Sequence, residues 1–422
     1  MIAGLLADHD ELSDFYRGNG YRPIWRRESQ AAAAAMALLA DAGADGLDPA
    51  RYGVGNLRAL ARQPARLAEF DVALSRTFTA FIRDLRTPPD AARMVYVDAE
   101  LAPERRPSAI LAKAGDAPSL VQYVHDARRM HPLYERLRAA LAELRDGGKA
   151  PAGLAAARYE RLLVANMDRL RALPADPGPR YALVDAASAR LWMYENGKPS
   201  STMRVAVGNR RSQTPALAGL IRFAVRNPYW NLPPDLTRER AAAVLRTGAN
   251  MLARERLETL SGWEDDARVT DPSEVNWEKV VRGEQGLRMR QLPGPENMMG
   301  SVKFMLPNNL GIYLHDTPQK TVFARGDRRV SSGCVRLENA TYFGDWLFGG
   351  QAPVGRGGAE ERIDLPAPVP VYIVYLTAFP QGREIAIQDD PYDRDAELLA
   401  AARRAHKTPL SERMHRPSRA AG

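Results

Sequence analysis

The stretch from Gly311 to Asn339 holds the residues of this 422-residue chain whose types and spacing best suit catalysis. It contains the only cysteine, Cys334, and a histidine, His315, nineteen residues earlier. A free thiol has a pKa of about 8.5 and is mostly protonated at neutral pH, but a neighbouring imidazole can remove the proton and leave a nucleophilic thiolate. The other histidines lie in the first half of the chain or in its last seventeen residues: His9, His125, His131, His406 and His415. If Cys334 is a nucleophile, His315 is therefore the histidine placed to act as its base.

The residues around this pair predict how the chain would present it. Gly311 to His315 reads as a short strand that ends in the imidazole, and the turn after it is fixed by Pro318, which has no N–H for strand pairing. Ser331-Ser332-Gly333-Cys334 predicts a tight turn, with a helix beginning near Val335. In such a turn the backbone N–H groups of Gly333 and Cys334 would hold an oxyanion.

Two alternatives remain open at this point. A single cysteine is often a small buried hydrophobic residue, and a histidine at a strand end is often a hydrogen-bonded core residue. A metal site is not expected, because one cysteine and one histidine supply too few ligands for a structural zinc. No cofactor is expected either.

The complete motif resembles the active site of the L,D-transpeptidases, whose catalytic domain is called YkuD. The resemblance is carried by His315, the turn Asp316-Thr317-Pro318, the Ser331-x-Gly333-Cys334 element and Arg336. The form Leu-His-Asp-Thr-Pro is most similar to the large YcbB-type branch. Many members carry a second histidine directly before Gly-Cys, where this chain has Ser332, and this difference leaves His315 as the base.

The resemblance implies a reaction on peptidoglycan stem peptides. Cys334 would attack the carbonyl of an L-residue in a donor tetrapeptide, the terminal D-Ala would leave, and an amine of an acceptor stem peptide would resolve the acyl-enzyme. Carbapenem-type β-lactams would acylate the same thiol. Two other functions remain open: an L,D-carboxypeptidase or endopeptidase that hydrolyses the same bonds, and a non-catalytic protein that binds the cell wall.

Further residues receive roles from the same resemblance. The backbone carbonyl of Asp316 would orient His315, while Tyr313 and Trp230 would line the substrate cleft. Ser331 and Ser332 would contact substrate, and Arg336 would pair with a substrate carboxylate or form a structural ion pair.

Composition and charge limit the class and location of the protein. Apolar residues make up 45% and charged residues 26% of the chain, as in ordinary globular proteins. No apolar run is long enough to predict a transmembrane segment. Of the net charge of +8, residues 401–422 carry +5, and no recognition motif accompanies it, so no nucleic-acid partner is expected. A cell-wall substrate implies the periplasm or cell envelope, yet the opening Met1 to Leu6 is too short for a signal peptide. We therefore expect a removed leader or a gene start placed too late.

The patterning predicts an α+β protein with an all-helical scaffold domain before a mostly antiparallel, β-sandwich-like YkuD domain. Residues 1–172 carry apolar residues at three- and four-residue spacing, which predicts helices. They resemble the YcbB-type scaffold domain, but the chain after His131 leaves no room for the small peptidoglycan-binding module found in relatives. Residues 173–390 would form the catalytic domain, in which Asn196-Gly197 predicts a hairpin. An inserted capping subdomain, or lid, would occupy 234–300, and 391–422 would be a basic, disordered tail.

Overall fold

The structure, a computed structural model, describes residues 2–6, 10–26, 29–264 and 266–405, with the backbone alone for 401–405. The first 170 residues are mainly helical. Their apolar residues recur with the helical period; the helix Leu67–Leu85, for example, buries Phe70, Leu74, Phe78 and Phe81 along one face. The helices of this region are α1 Ser13–Gly18, α2 Gln30–Ala40, α3 Val54–Ala61, α4 Leu67–Leu85, α5 Pro107–Ala112, α6 Leu120–Ala127, α7 Pro132–Arg145 and α8 Ala156–Leu170.

A buried carboxylate ties the start of this region to its longest helix. Asp71 of α4 accepts hydrogen bonds from the Tyr16 hydroxyl at 2.5 Å and from the backbone N–H groups of Ile24 and Trp25 at 2.8 and 2.6 Å. Asp71 is fully buried, and a buried carboxylate without such partners would be costly. Residues 16–25 and helix α4 are therefore packed against each other.

The second half forms a ten-stranded sheet in which most pairings are antiparallel. The strands are β1 Val95–Tyr96, β2 Arg180–Asp185, β3 Arg190–Glu195, β4 Lys198–Gly208, β5 Leu217–Arg226, β10 Val302–Met305, β11 Leu314–His315, β12 Arg329–Ser331, β13 Val335–Leu337 and β14 Glu361–Val374. Nine of them are paired in the order β1-β5-β10-β11-β13-β4-β3-β2-β14, and the tenth, β12, pairs with β4. Because β14 also pairs with β5, the sheet closes on itself around an apolar core. A hairpin of β15 Ala378–Gln381 and β16 Glu384–Ile387 follows. The predicted fold class, helices followed by a mostly stranded domain, is confirmed.

The segment between β5 and β10 forms a separate subdomain with its own sheet and core. Its four strands run in the order β6-β9-β7-β8, and its core includes Leu232, Val244, Leu252 and Met289. The amino-acid pattern from Thr237 to Leu260 predicts a single helix, but Gly248 interrupts it at φ +83° and the segment ends as a strand. The elements are β6 Trp230–Asn231, α9 Pro234–Thr247, α10 Asn250–Arg254, β7 Leu257–Leu260, β8 Val269–Thr270, α11 Trp277–Arg282 and β9 Arg288–Gln291. We call residues 227–301 the capping insert.

Two further local predictions differ from the structure. Val335 to Leu337 is strand β13 rather than a helix start, because these residues pair with both β4 and β11; the helix α12, Ala340–Phe348, begins after Asn339, whose side chain caps it. The predicted unstructured tail begins with a helix, α13 Arg394–Ala405, while residues 406–422 lie outside the described part of the chain. Among the described residues, no helix is long and apolar enough to cross a membrane.

Helical and stranded regions share a continuous interface. Strand β1 leaves the helical region and pairs in parallel with Leu217 and Ala218 of β5. Asn166 of α8 is fully buried and bonds to both the hydroxyl and the backbone N–H of Thr377, which follows β14. The helical region is therefore attached to the sheet at β5 and just after β14.

Candidate active site

The parallel pairing of β11 with β13 brings the predicted nucleophile and base together. Leu314 lies opposite Val335, and His315 lies opposite Arg336. Cys334 directly precedes β13 and therefore lies opposite Tyr313 on the neighbouring strand. Tyr313 comes two residues before His315. With ordinary strand spacing and rise, the Cα atoms of Cys334 and His315 are about 8 Å apart.

The Cys334 thiol is partly buried and hydrogen-bonded. Its Sγ donates to the backbone carbonyl of Gly311 at 3.3 Å, and the Tyr313 side chain also hydrogen-bonds to Cys334. Burial raises the pKa of the thiol, while the hydrogen bonds from Tyr313 and the charge of Arg336 act in the opposite direction. At neutral pH the sulfur is therefore protonated in this structure.

The His315 imidazole is held by the backbone. Its Nδ1 lies 2.5 Å from the carbonyl oxygen of Asp316, the contact expected from the sequence. A carbonyl can only accept, so Nδ1 carries the proton and Nε2 is the basic nitrogen. Burial lowers the pKa of His315 to about 3; the charge of Arg336 also lowers it, while the nearby carbonyl of Met299 raises it.

The thiol and the imidazole are thus both neutral at pH 7 in this resting arrangement. No hydrogen bond joins them directly within the described part of the chain. Tyr313 lies between the two: its side chain bonds to Cys334, and its ring centre is 5.8 Å from that of His315 in an edge-to-face contact. Catalytic hydrogen bonds are often long in the absence of substrate and tighten in the complex.

The turn before Cys334 is braced from both sides. The Ser331 hydroxyl donates to the Cys334 carbonyl at 2.6 Å and accepts from the Gly333 N–H at 3.1 Å. Thr214 donates to the Gly333 carbonyl at 2.8 Å. Gly333 has φ +116°, a conformation that a side chain would strain. Contrary to the prediction, the Gly333 N–H is engaged and is not free to bind an oxyanion, whereas the Cys334 N–H has no partner among the described residues.

The other predicted site residues differ in their distance from the thiol and in their exposure. Ser332 is exposed and Arg336 half-buried beside the thiol, with Nη1 donating to Gln319 at 3.1 Å. Ser331 is buried, and both hydrogen bonds of its hydroxyl lie within the turn, which they stabilise. Trp230 packs on the core of the capping insert, and within the described residues no hydrogen bond or ring contact joins it to the catalytic pair.

The Asp316 carboxylate was missed by the sequence analysis, which considered only its carbonyl. One carboxylate oxygen accepts from both the N–H and the hydroxyl of Ser301 at 2.9 Å, and the other accepts from Lys320 at 2.7 Å. Burial acts to raise the pKa of Asp316, but the hydrogen bonds from Lys320, Ser301 and Thr317 lower it overall. Nothing in the sequence links Ser301 to Asp316, because fifteen residues separate them.

Metal binding has no candidate among the described residues, where no cluster of three or more His, Cys, Asp or Glu side chains occurs.

Comparison with known families agrees with this geometry. Residues 179–370 match the model of the L,D-transpeptidase catalytic domain, YkuD, and residues 10–141 match that of a scaffold domain. The chain carries a scaffold domain followed in sequence by a YkuD catalytic domain. Cys334 and His315 both lie within the YkuD domain, on the pair of strands described above.

The chain is also similar to individual proteins, to a different extent in each case. A putative L,D-transpeptidase of Haemophilus influenzae is 29% identical over 251 residues, covering 57% of this chain and 49% of the relative. The chain thus spans about half the length of this curated relative. Among solved structures, an L,D-transpeptidase from Mycobacterium smegmatis is 13% identical over 46% of this chain and 58% of its own, with a TM-score of 0.23. The L,D-transpeptidase LdtMt1 in complex with imipenem is 14% identical over 46% of this chain and 59% of its own, also with a TM-score of 0.23. The assignment therefore rests on the sequence match to the YkuD domain.

Proposed function

We propose that this protein is a peptidoglycan L,D-transpeptidase that forms cross-links between stem peptides through a Cys334 acyl-enzyme. The observation that carries the proposal is the β11–β13 pairing, which places the single thiol and a carbonyl-oriented imidazole at the ends of adjacent strands inside a YkuD domain. Its site of action would be the periplasm or cell envelope, where stem peptides are found.

In the first half-reaction, the Cys334 sulfur attacks the carbonyl carbon that joins an L-centre to the terminal D-Ala of a donor tetrapeptide. His315 accepts the thiol proton at Nε2 as the C–S bond forms, so that the two neutral groups ionise only during attack. The Cys334 N–H is the turn's available donor to the oxyanion, and one such donor contributes roughly 3 kcal/mol. The C–N bond then breaks, His315 returns the proton to the leaving D-Ala amine, and a thioester remains.

In the second half-reaction, a side-chain amine of an acceptor stem peptide attacks the thioester. The amine loses a proton through His315, the C–S bond breaks, and Cys334 leaves as a thiol after taking up that proton. The products are a new amide cross-link and the released D-Ala. If water attacks instead, the same intermediate gives a carboxypeptidase or endopeptidase.

Arg336 is the candidate for substrate carboxylate recognition. Burial lowers the pKa of its guanidinium, and in the described part of the chain its hydrogen-bond partner is the neutral Gln319 rather than an acid. A half-buried cation without a carboxylate partner can pair with a carboxylate of the stem peptide in a bidentate manner.

The test is incubation of the protein with purified tetrapeptide muropeptides, followed by mass spectrometry. We expect cross-linked dimers that have lost one D-Ala, and none with Cys334→Ala. Tripeptide products without dimers would indicate hydrolysis. If neither product forms and carbapenems leave the mass of the intact protein unchanged, the proposal fails and a wall-binding role is favoured.

A further inference from the structure

The capping insert and the catalytic histidine turn share one carboxylate. Ser301 is the last residue of the insert, and both its N–H and its hydroxyl bond to the Asp316 carboxylate. Asp316 directly follows His315, and its carbonyl is the acceptor of the imidazole Nδ1. One residue therefore contacts the end of the insert through its side chain and the proposed base through its backbone.

Both stems of the insert meet at this point. The N–H of Asn227, at the first stem, donates to the Ser301 carbonyl at 3.0 Å, and the Asp316 N–H donates to the carbonyl of Val302 at 2.9 Å. Asn227 and Gly300 have positive φ angles of 45° and 63°, so each stem makes a sharp change of direction. Gly300 also packs tightly, since a Cβ there would lie 2.5 Å from the Asp316 carboxylate. These bonds form a junction between the insert and the histidine turn.

The junction also reaches the imidazole and the Cys334 strand directly. The carbonyl of Met299, two residues before Ser301, lies against the His315 ring. Lys320 holds the second oxygen of Asp316 and also donates to the Glu338 carbonyl at 3.0 Å, just beyond β13. The orientation of His315 therefore depends on where residues 299–301 lie.

We infer that the Asp316 carboxylate is a positioning group that couples the capping insert to the catalytic imidazole through Ser301. When the insert is seated with Ser301 bonded to Asp316, the carbonyl of Asp316 holds Nδ1 and aims Nε2 at the substrate side. When the Ser301 bonds are lost, the histidine turn loses its fixed position. This inference rests on the proposed function for the role of His315, but the junction itself can be tested without peptidoglycan.

The first test measures the junction by hydrogen exchange on the full chain. Asp316→Asn replaces the charge and one acceptor oxygen while keeping the backbone carbonyl. We expect faster exchange in peptides that contain the amides of Asn227, Ser301 and Asp316, and unchanged exchange in β7. Unchanged exchange at Ser301 and Asn227 would overturn the inference, whatever the enzyme's activity.

The second test measures coupling by a double-mutant cycle of Ser301→Ala and Asp316→Asn. The readout is the rate of cross-linking, or of Cys334 acylation by a carbapenem if cross-linking is absent. We expect Asp316→Asn to lower kcat by about tenfold or more with little change in KM, because small displacements of a catalytic group are costly. Ser301→Ala should give a smaller loss, and Ser301→Thr, which keeps the hydroxyl, should retain the wild-type rate. The double variant should be no slower than Asp316→Asn alone.

The insert offers a matched control. Ser273 donates its N–H and its hydroxyl to the Asp271 carboxylate at 2.8 and 2.7 Å, the same arrangement at an exposed position of the insert. Asp271→Asn and Ser273→Ala should leave the rate and the exchange near Ser301 unchanged. Additive losses from Ser301→Ala and Asp316→Asn, or equal losses from the Asp271 control, would overturn the inference.

Discussion

The catalytic pair is buried enough to remain neutral, and this is the electrostatic feature that most affects its reactivity. Burial disfavours both the thiolate and the imidazolium, which raises the pKa of Cys334 and lowers that of His315. Such a pair does not exist as a preformed thiolate–imidazolium ion pair. In the proposed mechanism, the thiol is activated only when substrate occupies the cleft.

The first prediction concerns alkylation of Cys334 by iodoacetamide across neutral and alkaline pH. We expect a native apparent pKa above that of the same thiol in the denatured chain, and each unit of difference lowers the thiolate fraction about tenfold at neutral pH. His315→Gln should change the native profile little, because the imidazole is neutral. A native pKa below the denatured value would contradict the neutral pair.

The second prediction concerns acid stability. His131 and His315 are both buried, and burial lowers the pKa of each to about 3. The unfolded chain takes up protons on these groups near pH 6.5, so it binds more protons than the native state between about pH 6.5 and 3. The stability is therefore complete above about pH 6.5 and falls as the pH is lowered through that window. Each histidine contributes about 1.4 kcal/mol per pH unit.

His131→Asn separates the two contributions. The His131 Nδ1 accepts from the Leu133 N–H at the start of α7, and an asparagine oxygen can replace that cap without titrating. Urea unfolding as a function of pH should show about half the acid slope in this variant. The exposed His125→Asn variant is the control and should keep the full slope.

At the level of the elements, the turn that carries Cys334 is held by Thr214, which lies in the connection between β4 and β5. The Thr214 hydroxyl accepts from the Gly208 N–H at the end of β4 and donates to the Gly333 carbonyl, both at 2.8 Å. Gly208 approaches this loop so closely that a Cβ would lie 2.1 Å from the Ser212 carbonyl oxygen. One fully buried hydroxyl therefore joins β4 to the turn that carries the nucleophile.

The third prediction follows from this contact. Thr214→Val keeps the shape of the side chain but leaves a buried N–H and a buried carbonyl without their partner. We expect a loss of about 1–3 kcal/mol in the free energy of unfolding, together with a lower rate of Cys334 acylation. Thermal and urea unfolding measure the first effect, and intact-protein mass spectrometry measures the second. Thr247→Val, at an exposed helix end, should change neither.

For the molecule as a whole, the helical region contributes structure to the catalytic sheet. Strand β1 extends that sheet, and Asn166 bonds to the backbone N–H of Thr377 at 2.9 Å and to its hydroxyl at 3.0 Å. Arg169 of the same helix pairs with Asp395 at the start of α13 at 2.7 Å. The two regions should therefore unfold together.

The fourth prediction tests this coupling with Asn166→Ala. The substitution leaves the buried Thr377 N–H without an acceptor, and we expect a loss of about 2–4 kcal/mol spread over both regions. Far-ultraviolet circular dichroism should follow mainly the helices, and tryptophan fluorescence should follow mainly the second half of the chain, which holds five of the six tryptophans; the two transitions should coincide in the wild type. Separate transitions in the wild type would contradict the coupling. The exposed Asn56→Ala variant, on α3, should lose far less stability.

The sequence alone predicted the candidate nucleophile and base and the order of the elements, while the class of chemistry came from the resemblance of the motif to a known family. A single thiol, one histidine at the end of a predicted strand and the turn residues between them are local features, and helical periodicity in the first half is also local. The contact between the His315 ring and the Asp316 carbonyl involves neighbouring residues, so it too followed from the sequence.

The tertiary structure decided what depends on distant residues. Val335 to Leu337 became a strand because β4 and β11 flank it, and the Gly333 N–H was taken by Ser331 once the turn closed. Thr214, Ser301 and Asn166 have their roles only because folding brings them to polar groups that are distant in the sequence. Burial itself sets the protonation of Cys334 and His315, since it is the exclusion of water by the whole fold that penalises their charged forms.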